Sequence, residues 1–147
     1  MNELELKLCD IQGRLFELSA DRKFGSIAFV KEFMASDTAK ALDSTYNRMQ
    51  WVGEEYLLEE VVDASDHRKL CEGEVFEKEV LYWMGYVYRY WHYYTGESSA
   101  KIYRQASAKT MKRNYLMFHT MDPSLAVEDL KEIYCQKQSA ISDKISD

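Results

Sequence analysis

Arg113 and His119, at the two ends of the run Arg113-Asn114-Tyr115-Leu116-Met117-Phe118-His119, are residue types that can hold a phosphate and move a proton beside it. An imidazole exchanges protons near neutral pH, and a guanidinium holds a phosphate through paired N–H donors. Six residues turn a helix by about 240°, so the two side chains share a face only across a helix break or a subunit boundary. Arg89 and His92 form a second pair, three residues apart. They suit contact with a phosphate or a partner's carboxylate, or, for Arg89, an ion pair inside the fold. The sequence contains no phosphate-cradling glycine loop, no paired Cys/His spacing and no nucleophilic triad, so neither metal nor cofactor is expected.

Between Tyr82 and Tyr94, eight of thirteen residues are aromatic, interrupted by one glycine, Gly85, and one arginine, Arg89. At 100° per residue, Phe76, Val80, Trp83, Met84, Val87, Tyr90, Trp91 and Tyr94 make a buried stripe. Tyr82, Tyr86 and Tyr93 form a shoulder beside it, and Lys78, Gly85, Arg89 and His92 fill a narrow polar arc. Tyr, Trp and Arg are the residues that most often anchor interfaces. Tyr82, Tyr86, Arg89, His92 and Tyr93 are therefore the candidate partner-binding set. Gly85 lowers helix stability but admits another backbone at close range.

The elements that must position these residues are helical throughout, since proline occurs once and glycine six times in 147 residues. Asn2 caps a helix over 3–19 with apolar residues at steps of three and four, and two short helices fit 27–42, the second capped around Ser36. A helix over 47–63 places Trp51, Leu57, Leu58, Val61 and Val62 on one face. Glu54 falls inside that apolar arc, where a carboxylate needs a cationic partner, and Arg89 would satisfy both burial problems. Residues 64–73 read as a loop. The aromatic helix spans about 74–95 and stops at Gly96. Ser98 or Ser99 and then Ser107 cap two further short helices, and Asp122-Pro123 opens a last one whose tail frays after Gln136. The expected fold is an all-α, single-domain bundle of five to seven helices around 74–95, with the domain over 1–138 and a frayed tail over 139–147.

The net charge of −6 divides unevenly: −8 over 1–79, +5 over 80–121 and −3 over 122–147. The acidic and basic parts either complement each other within the fold or leave a basic face for an anionic partner. Lys101, Arg104, Lys109, Lys112 and Arg113, interleaved with Tyr103 and Tyr115, make nucleic-acid binding one alternative, although the bases are spread rather than striped. Cys9, Cys71 and Cys135 have no paired spacing and read as free thiols. No apolar run is long enough to span a bilayer, and a cytoplasmic location without membrane contact is expected.

The Arg113 to His119 spacing resembles that of the HEPN ribonucleases, small all-α proteins that act on RNA without metal; the resemblance implies a catalytic role for that pair. A broader resemblance covers roughly 41–130. Leu42-Asp43 with Tyr46 leads to Gln50-Trp51-Val52-Gly53-Glu54-Glu55-Tyr56-Leu57-Leu58. Gly85-Tyr86-Val87-Tyr88-Arg89-Tyr90-Trp91 follows, then Ser98-Ser99 and His119-Thr120-Met121-Asp122-Pro123. These stretches resemble small helical bacterial proteins that look like the antitoxins of toxin–antitoxin loci, some beside ADP-ribosyltransferase-like toxins. That resemblance implies a non-enzymatic protein-binding module with a cognate toxin as partner, and it transfers no catalytic residue.

Overall fold

A computed structural model describes residues 1–44 and 48–146. These form α1 (Glu3–Asp21), α2 (Ser26–Met34), α3 (Asp37–Asp43), a 3-10 turn (Arg48–Trp51), α4 (Glu54–Asp63), α5 (His67–Leu70), α6 (Lys78–Thr95), α7 (Ser99–Gln105), α8 (Ala108–Phe118) and α9 (Pro123–Ser146). The protein is an all-α bundle with α6 at its centre. Its described residues make nine α-helices rather than five to seven, because short capped pieces, including a single turn at α5 within the expected loop, close as separate helices.

Local chemistry accounts for most of the boundaries. Asn2 and Glu5 make a reciprocal capping box at the start of α1, and Ser36, Ser98 and Ser107 each accept a backbone N–H at the start of α3, α7 and α8. Gly96, at φ 79°, ends α6 in the left-handed conformation that glycine adopts without penalty. α9 opens at Pro123 and runs through Ser146, past the boundary set at 139 from sequence, although residues 136–142 are all exposed.

Two elements begin later than their periodicity suggests. α4 starts at Glu54 rather than at residue 47, and Asn47, like Tyr46, lies outside the described residues. Trp51 consequently sits in the preceding 3-10 turn and is 75% exposed, not on the buried face of α4. Glu54 is the first residue of its helix and only partly buried, so its carboxylate sits beside free N–H groups at the positive end of the helix dipole. It needs no buried cation. α6 starts at Lys78, and Phe76 is buried ahead of it with its N–H donated to Ser26 Oγ at 2.8 Å.

The most extensive helix contact is between α1 and α6. It is made at two glycines. A Cβ on Gly85 would lie 2.5 Å from the Gln12 carbonyl oxygen and 2.9 Å from the Phe16 ring, and one on Gly13 would lie 2.7 Å from the Tyr82 ring. The arc of α6 read as polar is thus the face on which α1 lies, and α6 is buried on nearly every side: Val80, Leu81, Met84, Val87, Tyr88 and Trp91 join one hydrophobic cluster with Leu15, Phe16, Phe29, Phe33 and Leu57.

Glu97 fastens the C-terminal end of α6 to α7 and α9. Its Oε1 accepts from Trp91 Nε1 at 3.0 Å and Lys131 Nζ at 2.5 Å, and its Oε2 from Gln105 Nε2 at 2.7 Å. Burial alone would raise this carboxyl, but the donors from Lys131, Trp91 and Gln105 outweigh it and bring the pKa down to about 2.

Two outcomes follow from these contacts. Gly85→Ala should destabilise the fold by about 1–2 kcal/mol in urea, because overpacking against a backbone carbonyl exceeds the gain in helix propensity. Gly53→Ala, where an added Cβ meets nothing within 4 Å, should be near neutral. The stability contributed by ionised Glu97 is fully present above its ordinary value of 4.5 and is lost as pH falls toward about 2. Urea midpoints across that window should therefore drop more steeply for the wild type than for Glu97→Gln.

Candidate functional site

The structure divides the five candidate partner-binding residues into two groups at opposite ends of one helix face. Arg89 has no exposed side-chain surface. Its Nε donates to Gln12 Oε1 at 2.8 Å, one terminal nitrogen to Asp43 Oδ1 at 2.6 Å and the other to Ser99 Oγ at 3.3 Å. Asp43 also accepts from the Ser99 N–H and hydroxyl, each at 2.8 Å. The buried partner of Arg89 is Asp43 rather than Glu54, and the guanidinium is a structural group with no face toward a partner. Asp43 ends α3 while Glu54 opens α4, so only the former is carried to the depth at which α6 holds Arg89.

His92 and Tyr93 belong to the rim of this cluster. His92 Nδ1 lies 2.7 Å from the Glu97 carbonyl, which only accepts, so Nδ1 carries the hydrogen; Asp43 Oδ1 is 3.6 Å away. Tyr93 places a buried hydroxyl with no hydrogen-bond partner among the described residues, and burial is the main reason its pKa is pushed up to about 12. A small hollow of about 160 Å³ beside the start of α1 adjoins both. It has about a quarter of the volume of the groove at the other end of the face.

Tyr82 and Tyr86 lie at the other end, in a groove of about 610 Å³ between α1, α6, α8 and the turn into α9. Tyr82 is held by its hydroxyl, which donates to Asp10, and by the space above Gly13. Its ring is 6.1 Å from Tyr86. Trp83 meets Tyr115 edge to face at 5.7 Å, and Tyr115 stacks on His119 at 4.3 Å. Desolvation is the leading cause that raises the phenol pKa of Tyr82, Tyr86 and Tyr115; Asp10 adds to it at Tyr82, and Glu79 and Glu77 at Tyr115.

His119 ends α8, and its Nδ1 donates to the Tyr115 carbonyl at 2.8 Å. Arg113 is exposed and does not line the groove, so the groove contains the imidazole of the ribonuclease-like pair without its guanidinium. Sequence reasoning placed Trp83 in the buried stripe and gave no role in this site to Tyr115, Glu17 or Glu79. Tyr115 had a signal as an aromatic residue directly after the polar run Lys112-Arg113-Asn114. Glu17 and Glu79 had none, being ordinary surface acids until α1 and α6 bring them together. Neither makes an ion pair or hydrogen bond among the described residues.

Among the described residues no group of His, Cys, Asp and Glu side chains could hold a metal ion, and no helix is long and apolar enough to cross a membrane. Searches of protein-family models, curated proteins and solved structures return no match to this chain.

Removing one partner of a buried ion pair leaves the other charge uncompensated, which costs about 3–5 kcal/mol. Asp43→Ala should lose stability of that size in urea unfolding, and combining it with Arg89→Met should recover part of the loss.

Proposed function

We propose that this protein is a non-enzymatic protein-binding module, a neutraliser of a partner protein in the manner of the antitoxins its motifs resemble, and that it binds through the aromatic groove and the ridge of α8 beside it. One observation carries this reading. Tyr115 separates the 610 Å³ groove from a second hollow of about 450 Å³, lined by Val75, Phe76, Val80 and Leu116, so that the two form one apolar surface across α6 and α8. Leu116, which lines the second hollow, is 83% exposed, and Met117 beside it on α8 is 71% exposed. A single exposed apolar side chain is unremarkable, but a large patch joined to an aromatic groove is the composition of an interface core.

Charge favours a basic partner. Glu74, Glu77 and Glu79 border the apolar surface, and only Glu74 is paired, with Lys112 Nζ at 3.0 Å. Lys112 also lies over the Phe76 ring at 4.6 Å, and Arg89 is paired with Asp43 at 2.6 Å. Part of the basic middle of the chain is thus spent on the acidic parts of the fold, which weakens the case for a nucleic-acid surface.

Co-expression with the product of the neighbouring gene should give one complex in size exclusion and relieve any toxicity of that product. Leu116→Asp combined with Met117→Asp, both at exposed positions, should dissociate it with helical content unchanged. Separate elution of the wild-type proteins and no rescue of growth would show the proposal to be wrong.

A further inference from the structure

The groove is charged as well as apolar. Glu17 from α1 and Glu79 from α6 sit on it with the rings of Tyr82, Trp83, Tyr86 and Tyr115, and neither acid makes an ion pair among the described residues. The basic side chains nearest in sequence are paired with other acids, Arg14 with Asp10 at 3.0 Å and Lys78 with Asp21 at 2.5 Å, although Lys78 also attracts Glu17. An apolar occupant would strip water from two carboxylates and give nothing in return, and an anionic one would be repelled. A cation gains from both features. The faces of Trp and Tyr rings carry negative charge density that attracts it, and the carboxylates accept its hydrogen bonds.

The width of the site separates the possible cations. A volume of about 610 Å³ is far more than a metal ion fills, and no group of ligands here is arranged for one. An ammonium is compact and keeps its hydration, whereas a guanidinium is flat, weakly hydrated, stacks on rings and meets a carboxylate with two parallel N–H donors. We infer that the groove receives an arginine side chain of the partner, its guanidinium against the Trp83, Tyr86 and Tyr115 rings and hydrogen-bonded to Glu17 or Glu79. This rests on the protein-binding reading and names the anchor through which that binding is made.

The probes are three blocked tripeptides, acetyl-Gly-Xaa-Gly-amide, with arginine, its uncharged isostere citrulline, or lysine at the centre. The readout is the indole N–H resonance of Trp83, identified by its loss in Trp83→Phe. The arginine peptide should shift that resonance saturably, the citrulline peptide should leave it in place, and the lysine peptide should bind more weakly. Glu17→Gln with Glu79→Gln should weaken the arginine peptide at least about tenfold. An unmoved Trp83, or equal shifts with arginine and citrulline, overturns the inference; equal binding of lysine overturns the assignment to a guanidinium. Failure of the broader reading is separable from these outcomes. If the partner complex forms with unchanged affinity in the Glu17→Gln, Glu79→Gln protein, the docking surface stands and the arginine anchor falls. If the arginine peptide behaves as expected but no partner co-elutes, the reverse holds.

Discussion

A guanidinium with no access to water has to be neutralised from inside the protein, and in this bundle Arg89 is that group. Its donors reach three different helices: Gln12 on α1, Asp43 at the end of α3 and Ser99 at the start of α7. Asp43 in turn accepts the Ser99 N–H, a backbone donor in the first turn of α7, so one carboxylate neutralises the arginine and satisfies a helix terminus together. None of these partners adjoins α6 in sequence except Ser99. The charge therefore acts as a registration point: α1, α3 and α7 must all be correctly placed before Arg89 can be buried without penalty.

That constraint fixes how α1 lies on α6, and with it the location of the candidate site. Tyr82, Gly85, Tyr86, Arg89 and Tyr93 fall within about 100° of one another around the helix, so they belong to one face. α1 covers the middle of that face, where Gly13 and Gly85 let the backbones meet and Gln12 both donates to the Gly85 carbonyl and accepts from Arg89. Only the ends stay open. At the C-terminal end the hollow beside His92 and Tyr93 is small; at the N-terminal end Tyr82 and Tyr86 open onto the groove shared with α8.

Features set by a few neighbouring residues were legible in the sequence. The serine and asparagine caps, the glycine stop at Gly96, the proline start at Pro123 and the close approach at Gly85 depend on local backbone chemistry. Pairing across the fold was not legible. Helical phase marked Glu54 as a carboxylate needing a cation and offered Arg89 as that cation, but phase says nothing about which of many acids reaches Arg89, and Asp43 carried no signal that singled it out. The same limit hid the groove. Glu17 and Glu79 lie 62 positions apart in the sequence, and their meaning comes from a helix crossing that periodicity does not determine. Glu54 and Trp51 were misread for a different reason: the apolar spacing continued smoothly through a Gly53 start, so the pattern extended a helix over residues that lie before it.

The aromatic run divides by what its polar atoms do. Tyr88 donates to the Ala106 carbonyl and Trp91 to Glu97, both in the service of the fold, and Tyr82 and Tyr94 donate to Asp10 and Glu128 on neighbouring helices. Trp83 and Tyr86 make no hydrogen bond among the described residues, and the same is true of the Tyr115 hydroxyl. All three line the groove with their side-chain donors unused, and Trp83 and Tyr115 pack against the hydrophobic core. Tyr93, at the other end of the face, also has a hydroxyl without a partner among the described residues, but that one is buried. On the proposed reading, rings with unspent donors next to two carboxylates that make no ion pair would present a partner with contacts that require no rearrangement of the fold, and such preorganisation is what lets a modest surface bind tightly.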